Sequence, residues 1–418
     1  MVEAVVYHLL GVALILLFGY FAEFMFKKVN VPDVLFLILL GFVLGPVLKY
    51  VTPEQIEGFA PFFTAFALLF VLFDGAFSID FRSLAKGFSS SIVVTAFNFF
   101  VSTIVIAAVL MLINPLIEKF IGFSFTIPMA FLVGFALSGT SSSFVIPILK
   151  QLNVKGEIYS VLTIESALTD VFCIVFAFAT MEIIKLASFN PQSVISNIAS
   201  LFAVAGFIGI IAGIVWIVIV GKVLKHNKSY MATIAYLIMV YVVTEFLHGN
   251  GAIAALFFGL VLKNSKILTS SFERIMHKGK KDIEKDFGFS VTSPEEQLFY
   301  AQISFFLKTF FFVYIGILFS YDNLWTLAIG LVLAFAVMLS RNLSGIVIKN
   351  FKESERKLVF AVFARGLAAA AIIQVIASQK IPNAEMITSI AYAFIIFTII
   401  LSSIRIFTLR RETATTSA

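Results

Sequence analysis

The sequence predicts an all-α polytopic membrane protein with about 13 transmembrane helices. The first observation is composition: 60% of the 418 residues are hydrophobic and only 13% are charged, whereas about a quarter of the residues in a soluble domain carry a charge. The second is continuity, because the apolar runs are long and unbroken instead of alternating as barrel strands do. The third is a weak inverted repeat, described below.

Turn signals such as Asn114-Pro115 divide the chain into apolar runs. The first run is long enough to be a span, so no cleavable signal peptide is expected. The single cysteine, Cys173, lies within an apolar run, so a disulfide or a thiolate metal framework is not expected. The predicted spans are 5–25, 32–48, 59–78, 89–112, 126–149, 158–185, 197–223, 231–248, 250–264, 297–319, 324–347, 356–378 and 384–407.

Loop charge predicts the orientation. Alternate loops hold 23 of the 30 Lys and Arg residues, including those of a long polar loop at 266–296 with a charge cluster at 278–282. The opposite loops hold four, and the other three, Lys308, Arg341 and Arg365, fall within spans. The positive-inside rule then places the C-terminus in the cytoplasm and the N-terminus outside. Because the loop charges flank membrane spans, the net charge of +6 does not indicate nucleic-acid binding.

A weak internal repeat relates the two halves of the chain. Leu-Gly-Phe-Val-Leu-Gly at 40–45, in the second span, resembles Phe-Gly-Leu-Val-Leu-Lys at 258–263, in the ninth. Seven spans separate the two segments, and an odd offset inverts the second copy in the membrane. Inverted repeats, here about 1–190 and 231–410, are typical of secondary transporters, which bind their substrate near the midplane.

Two carboxylates, Glu165 and Asp170, lie in the sixth span. An ionisable group at bilayer depth costs about 2.5–3.5 kcal/mol on insertion scales, so such residues are usually functional. Five residues turn a helix through about 500°, which leaves these side chains about 140° apart. Ser166 is one turn from Asp170 and shares its face. A carboxylate beside a hydroxyl predicts a site for a small cation; the alternative is that Asp170 only pairs with a buried base.

The fifth span contains Ser-Gly-Thr-Ser-Ser-Ser at 138–143. Hydroxyl side chains compete for backbone hydrogen bonds, and unwinding is tolerated in a membrane only where the backbone is buried or lines a cavity. We therefore predict a broken helix with Thr140 near the cation; a small-residue packing face is the alternative. The twelfth span, with Ala-Arg-Gly at 364–366, is its inverted counterpart. The two broken helices are expected to cross, with Arg365 balancing the charges of their ends.

The roles of Asp74 and Glu165 also need an explanation. Asp74, in the inner third of the third span, either lines the cytoplasmic approach to the site or is a simple interfacial aspartate. Glu165 requires a basic partner, because an unpaired buried charge is very costly. The candidates are Arg341, Lys308 and Arg365, and the resulting pair is expected to be a structural clamp.

At these positions the chain resembles the monovalent cation:proton antiporter superfamily, and within it the sodium/proton exchangers of the NhaP/NHE type. The resemblance covers nearly the whole chain. The family's Glu-Ser-x-x-Asn-Asp appears as Glu-Ser-Ala-Leu-Thr-Asp at 165–170, and its Leu-Phe-Glu-Gly-Gly as Leu-Phe-Asp-Gly-Ala at 72–76. Its Ala-Thr-Asp-Pro corresponds to Gly-Thr-Ser-Ser at 139–142, its Ala-Arg-Pro or Ala-Arg-Val to Ser-Arg-Asn at 340–342, and its Arg-Gly to 365–366.

The resemblance implies a role for each site residue. Asp170 would hold a cation or a proton in alternation, with Ser166 and Thr140 as Na⁺ ligands and Asp74 as an accessory ligand. The clamp partner of Glu165 would be Arg341, which decides among the three candidates.

The resemblance also implies an architecture and a function. A mobile core at about 89–185 and 324–407 would move against a dimerisation part at about 1–78 and 197–319, in a homodimer in the plasma membrane. The chain would exchange Na⁺ or Li⁺ for H⁺ and serve pH homeostasis, as a transporter without enzyme activity and without a cofactor.

Two departures bear on this function. Thr169 stands where the exchangers have Asn and electrogenic relatives have Asp, which favours 1:1 electroneutral exchange, although Lys308 on the tenth span leaves the stoichiometry open. Ser141 and Ser142 replace Asp-Pro and resemble the potassium/proton branch, so a K⁺/H⁺ antiporter is the alternative of the same fold. A cation channel is the alternative of another class, but no filter motif is visible. An intramembrane hydrolase would need a paired catalytic signature or a His partner within a span, but no such signature is visible and His8 and His248 are peripheral.

Overall fold

The structure is a computed structural model that describes residues 2–29, 32–52, 56, 58, 60–77, 79, 81–185, 191–223, 230–276, 291–319, 323–379 and 381–416. The charge cluster predicted at 278–282 lies outside the described residues, as does the rest of 277–290 in the polar loop.

Every regular element in the described residues is helical, and no strand occurs among them. Seven helices are long and apolar enough to cross a membrane, and six shorter apolar helices of 10–17 residues occupy the remaining predicted spans. These segments fit the predicted helix count and confirm the all-α polytopic class. In chain order the helices are α1 (Val2–Val29), α2 (Asp33–Phe42), α3 (Ala60–Phe77), α4 (Phe81–Leu112), α5 (Asn114–Ile121), α6 (Ile127–Leu137), α7 (Ser142–Gln151), α8 (Glu157–Lys185), α9 (Pro191–Val218), α10 (Tyr230–Phe246), α11 (Gly251–Lys263), α12 (Ser265–Met276), α13 (Pro294–Leu318), α14 (Leu324–Ser340), α15 (Glu353–Ala361), α16 (Leu367–Ser378) and α17 (Ala384–Thr416).

The fifth predicted span is a broken helix made of α6 and α7. Thr126 caps the start of α6, where its hydroxyl accepts the N–H of Met129 at 3.4 Å. Pro128 fits in the first turn, because backbone N–H groups there have no helical partner. Residues 138–141 are not helical, and α7 begins only at Ser142. The interruption confirms the break predicted from the hydroxyl cluster.

A second break divides the twelfth predicted span, since residues 362–366 separate α15 from α16. The two breaks touch: the N–H of Ser141 donates to the carbonyl oxygen of Ala364 at 2.9 Å. A Cβ atom at Gly366 would lie 2.0 Å from Oγ of Ser141, so only glycine permits this approach. The predicted pair of crossed broken helices is therefore present.

The chain forms two compact units, and the first comprises Met1–Thr64, Ser89–Phe189 and Phe305–Ala418. Within it α6 packs on α8, α16 packs on both, and α14 packs along α17. The backbones of α2 and α13 also touch, because a Cβ atom at Gly41 would lie 2.0 Å from the carbonyl oxygen of Val313. Both helix breaks, and all the predicted site residues except Asp74, belong to this unit.

The second unit comprises Ala65–Phe88 and Asn190–Ser304. Its centre includes the close contact of α9 with α11 and an aromatic cluster of Phe73, Phe258 and Tyr300. The predicted division into a mobile core and a dimerisation part concerns motion and assembly, and it stays a prediction.

Candidate cation site

The guanidinium group of Arg365 is buried where the two breaks meet, and the side chain is only 2% exposed. Its Nη1 donates to the carbonyl oxygen of Ser138 at 2.6 Å and to Oγ1 of Thr140 at 3.4 Å. Its Nη2 donates to Oγ of Ser102 at 3.3 Å. Ser138 follows the last residue of α6, where unpaired carbonyl groups form the negative end of the helix dipole. Arg365 is thus placed to balance this charge.

Asp170 lies near the middle of α8 and is 8% exposed. The hydroxyl of Ser142 donates to its Oδ2 at 3.3 Å. Ser142 is the first residue of α7, so the carboxylate faces the positive end of that helix. In the part of the chain that the structure describes, no Lys or Arg forms an ion pair with Asp170. The structure therefore does not support the alternative in which Asp170 only pairs with a base.

Gly139 lies beside the other carboxylate oxygen of Asp170. A Cβ atom added to Gly139 would lie 3.5 Å from Oδ1 of Asp170 and 2.7 Å from Sγ of Cys173. Cys173 is completely buried one turn beyond Asp170 on α8. The two carboxylate oxygens consequently have different neighbours: Gly139 lies beside Oδ1, and the hydroxyl of Ser142 donates to Oδ2.

The three hydroxyls of the predicted site have distinct partners. The N–H of Thr140 donates to Oγ1 of Thr169 at 3.0 Å, so Thr169 supports the unwound backbone. The hydroxyl of Ser166 donates to the carbonyl oxygen of Thr163 at 2.9 Å, along its own helix. It keeps lone pairs that can accept, but no hydrogen bond joins it to Asp170. The structure thus brings Thr140 and Thr169 together at the break. The hydroxyl proton of Ser166 points to Thr163 and not to Asp170.

Glu165 is completely buried and forms a two-pronged ion pair with Arg341. Nη2 of Arg341 lies 2.9 Å from Oε2 of Glu165, Nη1 contacts Oε1, and Nε donates to the carbonyl oxygen of Val359 at 2.9 Å. Asn98 donates to Oε1 at 2.9 Å, and Ser344 donates to Oδ1 of Asn98 at 2.6 Å. Sequence reasoning missed Asn98 and Ser344. Asn98 carried a usable signal, because it is an amide within the apolar fourth span.

Lys308, on α13, pairs with Asp33, the first residue of α2, with 2.5 Å between Nζ and Oδ2. Oδ1 of Asp33 accepts the N–H of Val34 at 3.0 Å. Lys308 therefore faces neither Glu165 nor a second carboxylate on α8. Sequence reasoning missed the role of Asp33 as a buried partner.

Asp74 lies on α3 within the second unit, and the hydroxyl of Ser304 is the polar group beside its carboxylate. Both alternatives for Asp74, an accessory ligand and an interfacial aspartate, stay open.

The arrangement around Asp170 suits the binding of a small cation. A buried carboxylate without a basic partner needs a counter-charge, and either a proton or a metal cation can supply it. Nearby oxygen atoms belong to the hydroxyls of Ser142 and Thr140 and to the unwound backbone. Oxygen ligands of this kind match hard cations rather than soft ones.

Sequence and structure comparisons agree with this reading. The family model described as "Sodium/hydrogen exchanger, transmembrane" matches residues 12–411. A probable Na⁺/H⁺ antiporter 2 from Methanocaldococcus jannaschii is 24% identical over 304 residues, which cover 69% of this chain and 64% of that protein. Na⁺/H⁺ antiporter 1 from the same organism is 23% identical over 218 residues, which cover 52% of this chain and 47% of that protein. The matched regions thus span less than two thirds of these relatives.

The fold is shared with solved structures. The sodium proton antiporter MjNhaP1 from Methanocaldococcus jannaschii at pH 8 superposes with a TM-score of 0.71 at 19% identity, and the match covers 96% of each chain. An electron-microscopy structure of MjNhaP1 gives a TM-score of 0.68 at 20% identity, over 97% of this chain and 94% of that one. At these identities the likeness shows the fold. With a family model matching nearly the entire chain, this multi-pass membrane protein belongs to the sodium/hydrogen exchanger family.

Proposed function

We propose that the chain is a secondary antiporter that exchanges Na⁺ or Li⁺ for H⁺ across the plasma membrane, with Asp170 as the transport carboxylate. The observation that carries the proposal is the position of Asp170, buried beside a helix break with a hydroxyl and, among the described residues, without an ion pair to Lys or Arg. Family membership and the names of the relatives, Na⁺/H⁺ antiporters, support the class of transporter and its substrates.

The mechanism is competition at one carboxylate. Asp170 holds either a cation or a proton, and both occupied forms are neutral. The empty, ionised form carries an unbalanced charge, which is costly to move through the low-dielectric barrier. Only the occupied forms then cross readily, and this couples the two fluxes. Movement of the core exposes Asp170 to one side of the membrane at a time.

Two residues support 1:1 electroneutral exchange as part of the proposal. Thr169 supplies a hydroxyl where a second carboxylate would add a charge, and it is bonded to the backbone of Thr140. Lys308, which had left the stoichiometry open, is neutralised by Asp33.

The roles of the other residues complete the proposal. Thr140, Ser166 and Asp74 assist cation binding, Arg365 balances the end of α6, and Glu165 with Arg341 clamps α8 to the turn after α14. No cofactor takes part. Loop charge supports an N-terminus outside and a C-terminus in the cytoplasm. The resemblance to the exchangers supports a homodimer.

K⁺/H⁺ exchange is the second candidate, favoured by Ser141 and Ser142 at the first break. One experiment tests both candidates. Purified protein in liposomes with an interior pH indicator is exposed to Na⁺, Li⁺ or K⁺, with and without an imposed membrane potential. Na⁺- and Li⁺-driven proton movement that does not depend on the potential supports the proposal. A response to K⁺ alone would replace it with the second candidate, and a response to none would remove antiport altogether.

A further inference from the structure

The side chain of Ser142 is bonded directly to the transport carboxylate, although the sequence did not single it out as a ligand. Its hydroxyl donates to Oδ2 of Asp170 at 3.3 Å. The two hydroxyls that the sequence did assign, those of Thr140 and Ser166, make their hydrogen bonds elsewhere. Among these three residues, Ser142 is therefore the one whose hydroxyl is hydrogen-bonded to Asp170.

The fold does not require a serine at this position. Ser142 is the first residue of α7, where the backbone N–H has no helical partner. The preceding residue, Ser141, has φ −66° and ψ 115°, the extended conformation that is also favoured before proline. Proline, alanine or serine would all fit here, and the exchanger motif has proline. The backbone conformation at this position therefore does not depend on the hydroxyl, whose effect is on the site.

The hydroxyl of Ser142 lies beside Oδ2 of Asp170, and the two carboxylate oxygens have different neighbours. Gly139, with Cys173 packed against it, lies beside Oδ1, whereas Oδ2 accepts the hydroxyl of Ser142. A hydroxyl that donates its proton to a carboxylate keeps two lone pairs. A cation on the Oδ2 side can therefore be held by Oδ2 and by Oγ of Ser142 together.

We propose that Ser142 is a direct ligand of the transported alkali cation and sets the affinity of the site for the cation against the proton. The proposal rests on antiport at Asp170 and adds to it a residue that selects among ions. Without the hydroxyl, the cation must keep a water molecule in its place, while the proton on Asp170 loses one hydrogen bond. The loss is therefore greater for the cation, and it differs among Li⁺, Na⁺ and K⁺ because their radii differ.

The test compares Ser142→Ala and Ser142→Pro with Ser142→Thr, which keeps a hydroxyl, and with Ser143→Ala, the neighbouring serine whose hydroxyl is not bonded to Asp170. Exchange is measured in liposomes at fixed pH as a function of Li⁺, Na⁺ and K⁺. We expect Ser142→Ala and Ser142→Pro to raise the half-saturating concentration of the preferred cation about 3–10-fold, the value of one hydrogen bond. The maximal rate should stay within twofold. Ser142→Thr and Ser143→Ala should behave as the unmodified protein.

The outcomes separate this proposal from the proposed function. If the unmodified protein exchanges cations for protons but Ser142→Ala has an unchanged half-saturating concentration, Ser142 is not a ligand. An equal change for all three cations would also overturn direct ligation, because it would show that Ser142 only orients Asp170. Absence of exchange by the unmodified protein would instead overturn antiport itself. Binding is checked independently by cation-dependent thermal stabilisation, which should weaken in Ser142→Ala and Ser142→Pro.

Discussion

Helix α8 carries two buried carboxylates five residues apart, and their surroundings are opposite. Glu165 meets a guanidinium in two-pronged geometry and an amide that is itself bonded to Ser344. Asp170 accepts a hydrogen bond from one hydroxyl and forms no ion pair within the described residues. Both groups are taken out of water, so burial alone does not distinguish them. The difference lies in the partners: Glu165 has an ion pair and a hydrogen bond from Asn98, whereas Asp170 has one hydrogen bond from Ser142.

Under the proposed function, this contrast distinguishes a structural carboxylate, Glu165, from a transport carboxylate, Asp170. A charge whose partners are complete is fixed, because removing any partner leaves another buried group unpaired. A buried carboxylate without an ion pair can instead bind a proton or a cation reversibly. The backbone follows the same division, since Asp170 faces a helix break, while Glu165 packs against the turn Arg341–Ile346 that continues α14.

The strongest test of the contrast is Asp170→Asn. The amide keeps the size of the carboxylate and can still accept from Ser142, but it cannot exchange a proton for a cation. We expect cation-driven proton movement in liposomes to fall to the level of protein-free liposomes, with the melting temperature nearly unchanged. Asp74→Asn is the matched control and should lower activity without abolishing it. Retained exchange in Asp170→Asn would remove the central claim.

Arg341→Ala tests the other half of the contrast. It leaves Glu165 buried without its base, which costs about 3–5 kcal/mol. A fall in melting temperature should follow, while the cation affinity of the protein that remains folded stays close to its original value. The double variant Glu165→Leu with Arg341→Met removes both charges and should recover most of the stability. An unaltered melting temperature in Arg341→Ala would show that the pair is not a clamp.

Lys308→Met extends the comparison to the second buried pair. It leaves Asp33 without its basic partner. The side chains of Lys308 and Asp33 are 12% and 9% exposed, slightly more than those of Arg341 and Glu165, at 4% and 0%. The loss of stability should therefore be smaller than for Arg341→Ala, and Asp33→Asn in the same chain should restore part of it. Exchange should stay independent of the membrane potential. A change in voltage dependence would mean that Lys308 takes part in the transport cycle.

Thr169 gives the smallest expected effect. Thr169→Val removes the acceptor for the N–H of Thr140 and should cost about 1 kcal/mol, measured as a lower melting temperature. Thr169→Asn restores an acceptor and should keep both stability and electroneutral exchange. If Thr169→Val is as stable as the original, the hydrogen bond to Thr140 does not hold the break in place.

Much of the fold and of the site was accessible from particular residues. The hydroxyl cluster at 138–143 predicted the first break because such residues disfavour a continuous helix, and the small residues around Arg365 identified its counterpart. Helical geometry separated Glu165 from Asp170 before any contact was known. The partner of Glu165 was less determined, since three bases within spans were equally available and only the family resemblance chose Arg341.

The sequence by itself determined the membrane class, the positions of the helices and the identity of the costly charges, because hydrophobicity and helical period are local properties of the chain. The tertiary structure decided which charges meet, because the partners are far apart in sequence: Glu165 with Arg341, Asp33 with Lys308, and Asp170 with Ser142. Pairing across that separation depends on how helices pack and where they break, and no local pattern encodes it. For the same reason, the different sets of partners around Glu165 and Asp170 on α8 could be seen only in the tertiary structure.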